Sequence, residues 1–472
     1  MMSKITLLVS IILLVGYSQV SNAGTPDQWS QRTIYQLLTD RFSQTVNSST
    51  PCPDLSTYCG GTFDGIAAHL DYIQGMGFDA IWISPVIENY PGGYHGYWQT
   101  NFYAINDNFG SSSDLLNLIK ACHTRGIWVM LDVVANHIGP VNYDYSTIVP
   151  FNNTEHYHNC TGCPSQCTIE DFDDYAQVEH CRLAGLPDLD QDNQYVRQTL
   201  LDWIQDIVEQ YSFDGIRIDT VPEVKMDFWQ EYNQYAGVYA VGEVYNGNNS
   251  YVGEYTEVMD GVLSYPMFFT LRNVFAQQQS MYQIQSTFQQ YQQYMKNLTL
   301  MGTFIDNHDQ VRFLNEQPDI LLYKNAITYT LMAQGIPIIY YGTEQGFDGS
   351  SDPNNREPLW TTQFNQNAEL YQYIKLINQF RASNPQYQTY DQVQRYADNS
   401  FYAFSRGQVF VALTNGGSNQ AQIMRNITYH PYTDGTTLCN LFYPTEDCIK
   451  VTDNSFEVYL DYGESKIYYP IN

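Results

Sequence analysis

The chain has 472 residues, carries a net charge of −29, and is 43% apolar. That length suits one large domain with a smaller companion, and the apolar share is that of a globular protein. So acidic a chain is not built for nucleic acid or anionic lipid, but its charge does not argue against a neutral ligand.

Residues 1–23 read as a secretory signal. Lys4 supplies the positive charge, Ile5 to Val15 the apolar core, and Ser21-Asn22-Ala23 a small-residue cleavage site. Six sequons fit export, at Asn47, Asn152, Asn159, Asn248, Asn297 and Asn426. Nine cysteines in an exported chain suggest four disulfides and one leftover thiol. Close spacing pairs Cys52 with Cys59 and Cys439 with Cys448. Cys160, Cys163, Cys167 and Cys181 form a cluster, for which zinc is the weaker rival in an oxidising compartment. Cys122 falls in a helical pattern and reads as a buried free thiol.

Short apolar runs then alternate with helical patterns. Strands are predicted near Thr33–Leu38, Ala80–Ser84, Ile127–Val134, Gly215–Asp219, Val238–Val244, Gly261–Tyr265, Gly302–Asp306 and Ile336–Tyr340. Helices are predicted near Gly65–Met76, Asp114–His123, Gln194–Tyr211, Met226–Tyr235, Asp319–Ala333 and Ala368–Arg381, and the Gln-rich stretch 270–297 must supply at least one more. Eight strands alternating with helices predict an α/β fold, a (β/α)8 TIM barrel. Residues 137–188 break the rhythm and predict a small disulfide-bound domain inserted after strand three. The barrel then occupies 24–136 and 189–384. After residue 384 the pattern turns to alternating β, which predicts a C-terminal antiparallel β-sandwich over 385–472.

Polar residues collect where the apolar strands stop, which is where such barrels carry their active sites. Strand three runs into Asp132 and Asn136-His137. Strand four ends in Arg217 and Asp219, on one face of a short strand because side chains alternate. Strand five ends in Glu243, and strand seven in Asp306-Asn307-His308-Asp309. Asp219, Glu243 and Asp309 thus share one mouth. A neighbouring cation such as Arg217 favours the ionised form of an aspartate, which suits a carboxylate nucleophile.

These residues also carry a family resemblance. Ile34 to Phe42, Tyr58 to Thr62, Leu70 to Phe78 and Tyr94-His95-Gly96-Tyr97-Trp98 match in order. Four further motifs follow at Asp132–His137, Gly215–Asp219, Gly242–Val244 and Phe304–Asp309. The sequence resembles the alpha-amylase family of glycoside hydrolases, and most of all its fungal calcium-containing members. The resemblance implies Asp219 as nucleophile, Glu243 as general acid and base with a raised pKa, and Asp309 as the acid that binds the distorted sugar. It implies that His95, His137 and His308 donate to sugar hydroxyls, that Tyr97 stacks on the sugar, and that Trp98 either stacks or packs. Asp352 and Arg356 would meet the next sugar toward the non-reducing end.

It further implies calcium, held by the side chains of Asn136 and Asp188 and the backbone carbonyls of Glu179 and Glu223. Asp188 could instead cap the helix that follows it. The family's disulfide in this region matches Cys167–Cys181, which leaves Cys160–Cys163. One departure stands out. Where fungal and animal members carry Lys-His after Asp-Thr-Val, this chain has Pro222-Glu223, which alters the leaving-group side of the site. The expected protein is a secreted, monomeric, endo-acting retaining alpha-amylase on starch or glycogen, without nucleic-acid or membrane partners. The alternatives are a maltooligosaccharide-directed glucosidase or glucan transferase on the same scaffold, and an inactive glucan-binding paralogue, against which the intact acids argue.

Overall fold

The computed structural model describes residues 24–46 and 48–471. The expected signal segment and the sequon at Asn47 lie outside those residues. Eight parallel strands form the central sheet: β1 (Ile34–Gln36), β2 (Ala80–Ile83), β3 (Trp128–Val133), β4 (Gly215–Ile218), β5 (Tyr239–Gly242), β6 (Gly261–Val262), β7 (Gly302–Thr303) and β8 (Ile336–Tyr340). Their order is β6-β5-β4-β3-β2-β1-β8-β7. A parallel bridge between Leu263 and Gly302 joins the two ends into a barrel. The strands read as continuous apolar runs because both faces are covered, one by the barrel interior and one by helices. Trp82, Met130, Val241 and Ile338 are among the residues that fill the interior, while Ile81, Val129 and Ile216 face the helices.

Gly215 shows why β4 begins as it does. A Cβ there would come within 2.8 Å of the Trp29 ring, whose Nε1 donates to the Asp214 carbonyl at 2.8 Å. The first chain segment thereby plugs the N-terminal end of the barrel, leaving the opposite end free for polar groups.

The predicted helices form, and the departures include one split helix and two short helices that the sequence pattern did not predict, Asn249–Tyr255 and Tyr265–Leu271. The stretch predicted as one helix from Gly65 to Met76 is two, Phe63–Ala68 and Leu70–Gly75. His69 interrupts them: its Nδ1 lies 3.0 Å from the Gly65 carbonyl and 3.1 Å from Ser43 Oγ, and its ring stacks on Phe364. A side chain that engages the i−4 carbonyl competes with the helix ladder. The short helix Asn249–Tyr255 carries too few residues to show a period, and the sequence pattern missed it. The Gln-rich stretch yields Tyr282–Tyr294.

After residue 384 the chain forms a six-stranded antiparallel sheet and a two-stranded pair, Ile423–Ile427 with Phe456–Leu460. Phe401, Phe410, Phe456, Val458 and Leu460 lie buried between them. Asn152, Asn159, Asn248, Asn297 and Asn426 are all exposed. No helix among the described residues is long and apolar enough to cross a membrane.

Between β3 and the helix Gln194–Tyr211 the chain makes an excursion of short helical turns around Ile169, Val178 and Cys181. Here the expected pairing is corrected. The disulfides are Cys160–Cys167 and Cys163–Cys181, crossed in sequence, not Cys160–Cys163 and Cys167–Cys181. Cys160 and Cys163 begin and end a tight turn, with the Cys163 N–H on the Cys160 carbonyl at 3.1 Å. Cys163 lies against the small apolar core beside Cys181, at the end of the helix Tyr175–Val178, and so bonds across the core and not within its own turn. The pairs Cys52–Cys59 and Cys439–Cys448 and the buried free Cys122 agree with expectation. Peptide mapping without reduction should recover the crossed pairs. Loop entropy predicts that removing Cys163–Cys181, which spans 18 residues, costs about 1 kcal/mol more than removing Cys160–Cys167, which spans 7. Recovery of sequential pairs would contradict this fold of the excursion.

Candidate active site

Adjacent strands in register set the centre of the site. Asp132 on β3 pairs with Arg217 on β4, and Ile218 pairs with Gly242, so Asp219 and Glu243 emerge side by side. Arg217 is fully buried beneath them. Its Nη1 lies 2.8 Å from Asp219 Oδ1 and 3.0 Å from Asp132 Oδ1, and its Nη2 lies 2.7 Å from Glu243 Oε2. One cation is shared by three acids. Burial pushes the Asp219 carboxyl well above its usual range, Arg217 pulls it back, and Glu243, Asp132 and Asp309 push it up again. Burial likewise raises Asp132 to about 6 against the pull of Arg217. The arginine therefore does not simply fix Asp219 as an anion. It is shared with Asp132, and burial holds protons on both aspartates to a higher pH than on free acids.

A chain of hydrogen bonds supports the cluster from behind. Gln36 Nε2 donates to His308 Nδ1 at 2.8 Å, which leaves the ring proton on Nε2. His308 Nε2 lies 2.9 Å from the Tyr97 hydroxyl, which donates to Asp132 Oδ2 at 2.7 Å, and Trp82 Nε1 donates to the same oxygen at 3.0 Å. On the other side, Tyr265 donates to Glu243 Oε1 at 3.1 Å and accepts from Asn307 Nδ2 at 3.0 Å. The Thr220 N–H points at Glu243 Oε2, 3.3 Å away. Thr220 reaches that position with φ at 50°, an uncommon conformation for a β-branched residue and one that marks a constrained turn.

Asp309 is more open than Asp219 or Glu243 and lies 3.4 Å from His308 Nε2 and 3.6 Å from Arg356 Nη2. Arg356 is fixed in turn by Asp352 at 3.1 Å and by the Tyr94 hydroxyl at 3.0 Å. Asp306 faces inward to Arg272, Tyr323 and the Phe313 N–H, and so anchors the stretch that presents Asp309.

These groups surround a cleft of about 480 Å³. Tyr97, His137, Asp219, Glu243, His308 and Asp309 line it, together with Pro222 and Glu223. Arg217 lies beneath it. Trp98 packs edge-on against His95, and His95 against Tyr97, behind the wall. The three histidines also have partners within the protein. His137 Nε2 faces the Tyr97 carbonyl at 3.2 Å and its Nδ1 faces Asn136 Nδ2 at 3.3 Å, so both ring nitrogens are engaged within the protein. Asp132, Tyr265, Asn307 and Tyr245 also belong to the site. The positions of Asp132 and Asn307 at strand ends signalled this in the sequence; Tyr265, which opens the helix Tyr265–Leu271, does not announce that it faces an acid.

The expected cation site adjoins the cleft. A carbonyl can only accept, so His137 Nε2 carries the ring proton toward Tyr97. Burial lowers the His137 pKa to about 4, so the ring is neutral and Nδ1 must accept from Asn136 Nδ2. The Asn136 carboxamide oxygen is thereby turned toward Asp188 Oδ1 at 2.8 Å and the Glu223 carbonyl oxygen at 3.1 Å. In this orientation three oxygens converge, while the second Asp188 oxygen pairs with His158 Nδ1 at 2.5 Å. Turning the carboxamide over would satisfy them only by asking His137 Nδ1 for a proton it lacks. These residues fit a hard cation. Asp188 does not cap the next helix, whose N-cap is Asn193.

The family description "Alpha amylase, catalytic domain" matches residues 36–407. The chain belongs to the alpha-amylase family. It is accordingly a glycoside hydrolase. It is 36% identical over 493 aligned positions to "Alpha-amylase" of Saccharomycopsis fibuligera, covering 99% of this chain and 98% of that one. It is 41% identical over 375 positions to "Alpha-amylase 1" of Lipomyces kononenkoae, covering 76% of this chain but only 59% of that longer protein. The structure of an alpha-amylase from Malbranchea cinnamomea superposes with a TM-score of 0.90 at 38% identity, over 95% of this chain and 98% of that one.

Two buried imidazoles of this alpha-amylase-family site have a measurable consequence. Burial and nearby Arg356 lower the pKa of His95 to about 3 and that of His308 well below the ordinary 6.5. Protonation is thus available to these rings mainly when unfolded, so their neutral burial costs stability as pH falls below about 6.5. His95→Gln should flatten the acid-side loss of stability, by up to about 1.4 kcal/mol per pH unit between pH 6.5 and 4. Parallel wild-type and variant curves of unfolding free energy against pH would contradict the assignment.

Proposed function

We propose that the enzyme is endo-acting and hydrolyses internal α-1,4 bonds of starch, glycogen and related glucans by double displacement. The observation that carries this reading is the pair Asp219 and Glu243, held on the two terminal nitrogens of one buried guanidinium. Acids so close suit a covalent intermediate, which needs carboxyls about 5 Å apart, better than direct attack by water, which needs about 6.5–9.5 Å. Asp219 attacks the anomeric carbon. Glu243 protonates the departing oxygen, then takes a proton from the water that cleaves the ester. Asp309 and Arg356 bind the sugar on the far side, and His308 orients Tyr97 beneath it. The choice of Asp219 over Glu243 as nucleophile follows their motif positions.

Calcium is proposed at Asn136, Asp188 and the carbonyls of Glu179 and Glu223, supported by the three converging oxygens. When bound, it would tie the excursion to the barrel wall. We also propose the domain limits given above, secretion after removal of residues 1–23, glycosylation at exposed sequons, and a monomeric state. The Pro222-Glu223 substitution, which lines the cleft, keeps a second reading in view: transfer of glucan to a sugar acceptor.

On soluble starch, iodine staining should fall quickly while few reducing ends appear. Parallel loss would instead indicate exo-action. Asp219→Asn should lower kcat by roughly 10³-fold or more, as loss of a nucleophile does; near-normal turnover would refute the role. Prolonged chelation should lower both Tm and activity, and added calcium should restore them. An unchanged Tm after complete metal removal would exclude the cation site.

A further inference from the structure

The two-stranded pair of the C-terminal domain has an outer face open to solvent. Ile423–Ile427 runs antiparallel to Phe456–Leu460, with Met424 opposite Tyr459 and Asn426 opposite Glu457. Alternation sends Ile427, Phe456, Val458 and Leu460 into the core and leaves Met424, Asn426, Glu457 and Tyr459 outside. Met424 is 42% exposed and Tyr459 37%. Two large apolar side chains directly opposite one another form a small patch that a cover would stabilise.

The cover can come from the patch itself, because Asn426 opens the sequon Asn426-Ile427-Thr428. Among the described sequons this asparagine alone lies within a strand, so the pleat directs its side chain to the same face as Met424 and Tyr459. The carboxamide oxygens of Asn248 and Asn297 instead cap the turns that follow them. Met424 is two residues from Asn426 on its own strand. Tyr459 is its diagonal neighbour across the pair, within reach of a bulky group. The Tyr459 hydroxyl donates to Glu457 Oε2 at 2.5 Å, so the ring leans along its strand toward the position opposite Asn426. A pyranose joined to Asn426 fits this place: one C–H face packs on the ring and the thioether, and its hydroxyls stay in water.

We propose that Asn426 carries an N-linked glycan whose first N-acetylhexosamine packs on Met424 and Tyr459 and closes the outer face of the domain. This rests on the secretion and glycosylation readings given above. The donor is an oligosaccharide joined through a diphosphate to a lipid, met in the secretory compartment. The Asn426 carboxamide nitrogen bonds to the anomeric carbon. The bond from that carbon to the diphosphate oxygen breaks, and the lipid diphosphate leaves with the electron pair. The nitrogen gives up one proton to a base, and nothing is oxidised or reduced.

The test maps glycopeptides of the full chain, secreted from a yeast host, by mass spectrometry. Asn426 should be occupied. Sugars on other sequons with Asn426 bare would overturn this proposal alone, whereas secreted protein bare at every sequon would overturn the glycosylation reading with it. The packing is then read from Tyr459→Ala in two backgrounds, the glycosylated wild type and Asn426→Gln. The substitution should lower Tm by about 1–3 °C in the glycosylated protein and by less than half of that loss in Asn426→Gln. Trimming with endoglycosidase H, which leaves the first sugar in place, should preserve the difference. Equal losses in both backgrounds would refute the contact. If Asn426→Gln is not secreted, Thr428→Ala, which also removes the sequon, takes its place. A concentration-dependent dimer of the wild type that Tyr459→Ala dissolves would assign the face to a second copy and likewise overturn the proposal.

Discussion

Arg217 lies with no exposed surface under three carboxylates, and the site depends on that contact. Taking a guanidinium out of water is costly unless its charge is met, and taking three acids out of water beside it is costly unless one charge can serve several. A planar fork can do this. Nη1 meets Asp132 and Asp219, Nη2 meets Glu243, and the rings of Trp82 and Tyr97 lie 5.2 and 5.8 Å from the guanidinium carbon. A lysine, as a single point of charge, could not hold two acids in a fixed relation. Removing the arginine would leave uncompensated buried charge, a loss of about 3–5 kcal/mol.

The layers around this contact follow from it. Asp132 needs further donors, and Trp82 and Tyr97 provide them; Tyr97 is then oriented by His308, and His308 by Gln36. Glu243 is steadied by Tyr265 and by the constrained turn at Thr220. That turn continues through Pro222 to Glu223, whose carbonyl lies 3.1 Å from the Asn136 carboxamide. Asp219, the cleft-lining Pro222 and Glu223, and the Glu223 carbonyl beside Asn136 thus lie on one short stretch of chain. A change in any one is felt by the others, and functional sites commonly concentrate constraint in this way.

Much of this was legible in the sequence, for physical reasons. Strands buried on both faces must be apolar, so Asp132, Arg217, Glu243 and Asp309 stand out where the runs stop, and the long amphipathic helix Gln194–Tyr211 was predicted to the residue. What escaped depends on contacts between segments distant in sequence. His69 breaks a helix because Phe364, nearly 300 residues away, holds its ring. The crossed disulfides are decided by which cysteine faces a core of Ile169 and Val178, which spacing does not encode. Tyr265 belongs to the site only because β6 and β7 end beside one another at the barrel mouth. The engaged ring of His137 depends on a single backbone carbonyl, which no side-chain pattern announces.

The central claim is that the guanidinium positions Asp219, among the three acids it touches, to form a bond with sugar. The most direct measurement is mass spectrometry of the enzyme after reaction with a 5-fluoro-α-glycosyl fluoride, which slows hydrolysis of the glycosyl ester. A single sugar adduct on the peptide that contains Asp219 is the predicted result. An adduct confined to Glu243 or Asp132, or complete turnover through a β-configured product with no adduct, would contradict it.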